Sequence, residues 1–157
     1  IPRHIHRVHE IIKEIKELKL NIVLHSSQPK KLKDTDIYLV DTYGETKKFY
    51  QTSNIVFMGK SLTGRGGQNP LEPARHGAAV LYGPHIKNFP DIYKLLDKLK
   101  ITHKVNGLNN LTSLVDRLIV KPHNKKNYLK IEKIGKKILN ETKDEINSLL
   151  NNEIKKT

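Results

Sequence analysis

Three stretches of the chain carry residue types and spacings that could hold an anionic, hydroxyl-rich ligand. The first is Pro2-Arg3-His4, at a predicted strand-to-helix junction. A guanidinium beside a helix N-terminus makes a seat for an anion, although the same residues could equally be a capping segment with a solvated Arg. The second is Asp41-Thr42-Tyr43-Gly44-Glu45, where a strand end turns into a helix start. Gly44 lets a ligand approach the backbone and free N–H groups point outward there, and simple helix capping explains the residues as well. The third is Gly64-Arg65-Gly66-Gly67-Gln68-Asn69-Pro70-Leu71-Glu72-Pro73. Its glycines leave room for a ligand, Asn69 stands at a helix N-cap, and Glu72 projects from the first turn. An amide and a carboxylate so placed can grip sugar hydroxyls. The alternative is plain capping with dipole compensation by Glu72, but prolines on both sides of the carboxylate make a rigid first turn that favours the ligand-binding role.

Other motifs do not develop into sites. Gly59-Lys60-Ser61 follows a strand like the end of a phosphate-binding P-loop, but the position that needs the motif's first Gly is Asn54, and no helix follows directly. Asp34-Thr35-Asp36 has the look of a metal-binding carboxylate pair, yet it precedes a strand in a Lys-rich loop, whereas open α/β sheets hold ligands beyond the carboxyl ends of their strands. Of His4, His6 and His9, only the last two would share a helix face, and no carboxylate stands at usable spacing. Cysteine is absent, which removes disulfides, thiolate metal sites and Cys nucleophiles. Neither a metal nor another cofactor is expected.

The elements that must position these stretches can be read from hydropathy. Apolar residues at Ile5, Val8, Ile11, Ile12, Ile15 and Leu18 follow a helical period over 5–20. Short apolar runs predict strands at 21–25, 37–40, 54–58, 78–82 and 101–105. Helices are predicted between them at 44–52, at 70 to about 77, and at 88–99, then at 109–120 and over 124–152, the last with a break near Gly135. Uninterrupted apolar strands alternating with helices indicate a parallel sheet covered on both faces. At 157 residues one core is the natural size, so 1–157 is read as one domain with 122–157 as its C-terminal helical segment. Ile1 carries neither an initiator Met nor a signal peptide, and the chain is expected to be an interior cut through a longer protein.

Net charge is +13, from 24 Lys and 5 Arg against 16 acidic residues. With so little Arg, this is a compositional drift toward Lys and not a phosphate-gripping surface. Thirteen cations against eight anions precede Pro84, and sixteen against eight follow, so the excess lies largely away from the three stretches. Nine aromatics without a recognised binding motif argue against a nucleic-acid-binding module, which remains an alternative on charge alone. No apolar run approaches the length of a membrane span.

Taken in order, five blocks resemble one family, the transferases that add 3-deoxy-D-manno-oct-2-ulosonic acid (Kdo) to the lipid A precursor. They are Pro2-Arg3-His4 with Arg7; Asp41 to Glu45 with Phe49-Tyr50; Phe57-Met58-Gly59-Lys60-Ser61-Leu62; Gly66 to Pro73; and Gly83-Pro84-His85 with Asn88-Phe89. The resemblance covers residues 1 to about 99; beyond that only helical character matches. It implies the C-terminal, donor-binding half of a GT-B glycosyltransferase, a Rossmann-like α/β domain, lacking its own first strand.

The implied donor is CMP-Kdo and the acceptor a lipid A precursor, in an inverting reaction without a metal. Arg3 would contact the CMP moiety, Gly44 and Glu45 would offer backbone and side chain to it, and Asn69 and Glu72 would hold the ribose and neighbouring groups. Pro2, Tyr43 and Ser61 are secondary candidates. The general base would lie in a missing N-terminal domain, so no catalytic residue is expected in this chain. The implied location is the cytoplasmic face of the bacterial inner membrane, with peripheral membrane contact. A related GT-B enzyme using a UDP-sugar is the nearest alternative. Lys60 stands where the family commonly has Gly, and Gln68 where it commonly has His.

Overall fold

The computed structural model describes residues 1–64, 66–120, 126 and 128–154. Arg65, residues 121–125, 127 and 155–157, including parts of the glycine-rich stretch and of the C-terminal segment singled out above, lie outside the described residues. The chain divides into two compact units, Ile1–Phe49 and Tyr50–Thr157.

The first unit opens with a 3-10 turn, Ile5–Arg7, that runs into helix α1 (Val8–Glu17). The apolar stripe read from the sequence turns Val8 inward, while Ile11, Ile12 and Ile15 are half-buried. The helix ends at Glu17, three residues earlier than the hydropathy suggests, because Lys19 adopts a left-handed φ of 58°. Strands β1 (Ile22–Leu24) and β2 (Ile37–Leu39) pair in parallel, with Ile22 opposite Ile37 and Leu24 opposite Leu39. Their N-terminal ends are pinned by Asp36, whose Oδ2 accepts the Asn21 N–H at 2.8 Å. That contact accounts for part of the Asp34-Thr35-Asp36 motif. Helix α2 (Thr46–Thr52) begins two residues after the predicted start, since Gly44 has φ +83° and cannot be helical.

The second unit is a three-stranded parallel sheet, β3 (Ile55–Phe57), β4 (Ala79–Tyr82) and β5 (Thr102–Lys104), in the order β3-β4-β5. The central strand is buried on both faces. Val80 and Tyr82 pack with Met58, Ala74, Tyr93, Leu96, Ile101 and Ile131. Ala79 and Leu81 pack on the opposite face with Val105, Leu114 and Leu118. Helices α3 (Leu71–Arg75), α4 (Pro90–Lys98) and α6 (Tyr128–Ile154) therefore cover one face and α5 (Leu108–Val120) the other. A strand with helices above and below must be apolar at every position, which is why β4 shows no alternation.

The parallel α/β architecture is as expected, but the strands form two sheets of two and three. The break expected near Gly135 is not there: α6 is continuous across it. One glycine costs about 1 kcal/mol in a helix interior, too little to interrupt 27 helical residues.

Candidate functional site

Asp41 to Glu45 follow β2 as expected, whereas Pro2-Arg3-His4 leads into a 3-10 turn and not from a strand into a helix; the candidates divide between the units, with Pro2, Arg3, Tyr43, Gly44 and Glu45 in the first and Ser61, Asn69 and Glu72 in the second. Arg3 is exposed and Pro2 half-buried ahead of the first helical turn, where no side chain caps the helix. The rings of His4 and His6 stack, with centroids 5.4 Å apart, instead of His6 pairing with His9 along a helix face. Among the described residues no three His, Cys, Asp or Glu side chains converge as a metal would require.

At the carboxyl ends of β1 and β2 the polar side chains are tightly organised. Asp41 accepts the Ser26 N–H at 2.8 Å on one oxygen and the Ser26 hydroxyl at 2.6 Å on the other, clamping the two strand ends together. The hydroxyl bond holds the Asp41 carboxyl below its ordinary range. Tyr43 is 76% exposed. A Cβ on Gly44 would meet nothing within 4 Å, so what demands glycine there is the positive φ and not lack of room. The Glu45 carbonyl accepts the N–H groups of Lys48 and Phe49, starting α2. Its side chain follows the same turn: Lys48 Nζ lies 2.8 Å from Oε2, and this cation lowers the Glu45 pKa. His25 reaches the same oxygen at 4.0 Å. Thr42 Oγ1 is shielded from solvent without a hydrogen-bond partner among the described residues, a group the sequence reading passed over.

In the second unit the glycine-rich loop is locked onto residues 83–88. The Ser61 hydroxyl donates to the Met58 carbonyl at 2.5 Å and accepts the Gly83 N–H at 2.9 Å, and the His85 N–H reaches the Ser61 carbonyl at 2.8 Å. Ser61 is fully buried, so its part is to hold the loop, and a ligand has no access to its hydroxyl. Asn88 donates its backbone N–H to the Gly66 carbonyl at 3.0 Å and lies where a Cβ on Gly66 would stand, 2.6 Å from it. The Gly83-Pro84-His85 and Asn88-Phe89 blocks thus act as the buttress of the loop. From the core, the Tyr93 hydroxyl donates to the Gln68 carbonyl at 3.0 Å.

Beyond that anchor, Asn69 Oδ1 accepts the Leu71 N–H at 3.0 Å, but Asn69 is not the N-cap expected of it: α3 starts one residue later than predicted and its N-cap is Pro70. Asn69 and Glu72 are exposed. Tyr50, named above only as part of a resembling block, is half-buried, and its phenol is pushed up in pKa by burial and then by the Glu72 carboxylate. Helices α2 and α3 span only seven and five residues. Their dipoles are accordingly weaker than the sequence suggested, and recognition of an anion falls to side chains and loop N–H groups.

A parallel α/β fold with polar loops at the strand ends is shared by many ligand-binding domains, those of GT-B glycosyltransferases among them, and comparison with known proteins narrows this. No protein-family profile matches the chain. It is 30% identical over 151 residues to the 3-deoxy-D-manno-octulosonic acid transferase of Haemophilus influenzae, an alignment covering 96% of the chain and 35% of that protein. The enzyme of that name from Rickettsia prowazekii is 35% identical over 149 residues, 90% of the chain and 32% of the relative. Among solved structures, the C-terminal CMP-Kdo binding domain of WaaA from Acinetobacter baumannii superposes with a TM-score of 0.76 at 25% identity, covering 83% of the chain and 70% of that domain. In sequence and in fold, the chain is a relative of the C-terminal domain of the 3-deoxy-D-manno-octulosonic acid transferases. It spans about a third of the length of these curated relatives.

Proposed function

We propose that the chain is the donor-binding half of an inverting, metal-independent glycosyltransferase that moves Kdo from CMP-Kdo to a lipid A precursor. The observation that carries this is its likeness, over 83% of its length, to a domain described as binding CMP-Kdo. In the reaction the bond from the Kdo anomeric carbon to the CMP phosphate oxygen breaks as an acceptor hydroxyl bonds to that carbon from the opposite face. The hydroxyl proton passes to a base, and CMP leaves as a phosphate monoester whose negative charge grows in the transition state. The exposed guanidinium of Arg3 suits that charge. Gly44 and Glu45 at the end of β2, with Tyr43 beside them, and Asn69 and Glu72 at the start of α3 are the groups proposed to hold the nucleoside. The base belongs to an N-terminal domain across the cleft.

The sheets add a second element. Among the described residues β1 pairs only with β2, and β3 only with β4. A further strand, the domain's first, would add to one of these open edges. No helix among the described residues is long and apolar enough to cross a membrane. The Lys-rich second half would favour peripheral contact with anionic lipid at the cytoplasmic face of the inner membrane.

Calorimetric titration with CMP tests the reading. Saturable binding that weakens about ten-fold in Glu72→Ala is expected, since a hydrogen bond to a charged group contributes ~1.5–3 kcal/mol. Failure of a folded sample to bind, or indifference to Glu72→Ala, would count against it. Preference for UDP over CMP would point to the UDP-sugar alternative.

A further inference from the structure

Glu45 stands beside an aromatic cluster of the first unit, made of Tyr38 on β2, His25 at the end of β1 and Phe49 on α2. Tyr38 Oη lies 2.8 Å from His25 Nδ1. The edge of Phe49 meets the imidazole at 5.5 Å between centroids, and Tyr38 meets it at 5.7 Å, both nearly perpendicular, so the ring is fixed in its plane. The opposite nitrogen, Nε2, faces Glu45 Oε2 at 4.0 Å, and Lys48 approaches that same oxygen.

We infer that His25 is a positioning residue for Glu45, with Tyr38 selecting the imidazole tautomer that faces the carboxylate; the inference rests on the donor-binding reading of Glu45. In the inferred arrangement the Tyr38 hydroxyl is the donor to Nδ1, so that nitrogen carries no hydrogen and the ring proton sits on Nε2. An N–H directed at a carboxylate attracts it, whereas the other tautomer would turn a lone pair toward it. Lys48 reaches Oε2 along an exposed side chain, while His25 is flanked by two aromatic rings. The imidazole thus supplies the direction and the ammonium the charge. Both act on Oε2, so Oε1 is the oxygen presented to a ligand hydroxyl or amino group.

The test uses the chain at one fixed pH throughout. CMP affinity is measured for the wild type, His25→Gln, Glu45→Gln and the double variant, each first shown to be folded by thermal unfolding. His25→Gln is expected to weaken binding about five-fold in the wild type and to have no further effect once Glu45 is changed, the non-additivity of residues that act through one another. An equal loss in both backgrounds, or none in either, overturns the inference. Tyr38→Phe is nearly isosteric and should reproduce the His25→Gln loss. Nitrogen chemical shifts of the His25 ring should report the Nε2–H tautomer in the wild type and a mixture in Tyr38→Phe; a wild-type ring protonated at Nδ1 overturns the inference. The shifts need no ligand. Wild type that fails to bind CMP but shows the expected tautomer would therefore sink the donor reading and leave the tautomer assignment standing.

Discussion

Gly83→Ala and Gly135→Ala make the same chemical change with opposite expected signs. A Cβ on Gly83 would lie 2.3 Å from the Ser61 carbonyl oxygen and 2.4 and 2.6 Å from Leu62 Cα and N. All three are backbone atoms, which cannot rotate aside. Relief requires the 59–67 loop and the 83–88 loop to separate, and that movement breaks the buried Gly83 N–H to Ser61 Oγ bond. Overpacking of this kind costs about 1–3 kcal/mol, and an unmade buried hydrogen bond about 1–3 more. A loss of ~4 kcal/mol is expected, which for a domain of this size lowers Tm by about 10 °C. At Gly135 a Cβ meets nothing within 4 Å, in the interior of α6, so alanine there should raise stability by about 0.5–1 kcal/mol. Thermal unfolding of the chain with either change gives both values. A Gly83→Ala protein within ~1 kcal/mol of wild type would refute the loop-lock reading, because no other arrangement of those atoms accommodates a methyl group without cost.

Two more outcomes follow from particular contacts. Lys60 has φ +62°, a conformation that costs an L-residue about 1–2 kcal/mol and glycine nothing; Lys60→Gly should be neutral to about 1 kcal/mol stabilising by urea unfolding. Asp41 has its pKa lowered by Ser26, so its stabilising bonds are fully present above the ordinary carboxyl range, near 4, and are lost as the pH falls through the still lower folded-state value. The stability difference between wild type and Asp41→Asn should therefore shrink between pH about 5 and about 2, measured by thermal unfolding; a difference that widens on acidification would contradict the assigned clamp.

The elements read most easily were those whose cause is local. Apolar runs located all five strands, and Pro70 with Gly77 bracketed α3, because burial on both faces and the φ preferences of proline and glycine leave marks in neighbouring residues. Strand partners leave no such mark, and the division into two sheets was not legible. Positive φ at Gly44 and Lys60 set a helix start and a loop path that hydropathy does not encode. Within the candidate site, Asn69 does bond to the first turn of α3, but one residue ahead of the N-cap that its type suggests. Ser61 was a secondary candidate from the family resemblance; its burial under Gly83 depends on a contact 22 residues away. Tyr50 and His25 were missed for a related reason, since each takes its meaning from a neighbour on another element.

Helix α6 has two different lengths of chain within one continuous rod. Ile131 is buried against the sheet, and Leu71 and Arg75 of α3 line a groove of about 360 Å³ with Gly135 and Leu139, so these early turns are part of the body that supports Glu72. Past them Ile146, Leu149 and Leu150 are each half or more exposed, as are Ile138 and Leu139 at the groove's end. Anyone trimming the chain for crystallisation could remove residues after about 142 with little loss to the sheet, whereas a cut before 131 would open the core beside α3. The same exposed stripe is the part that would make a concentrated preparation stick to itself, and polar replacements at 146, 149 and 150 offer a route to a well-behaved sample that leaves every proposed donor contact in place.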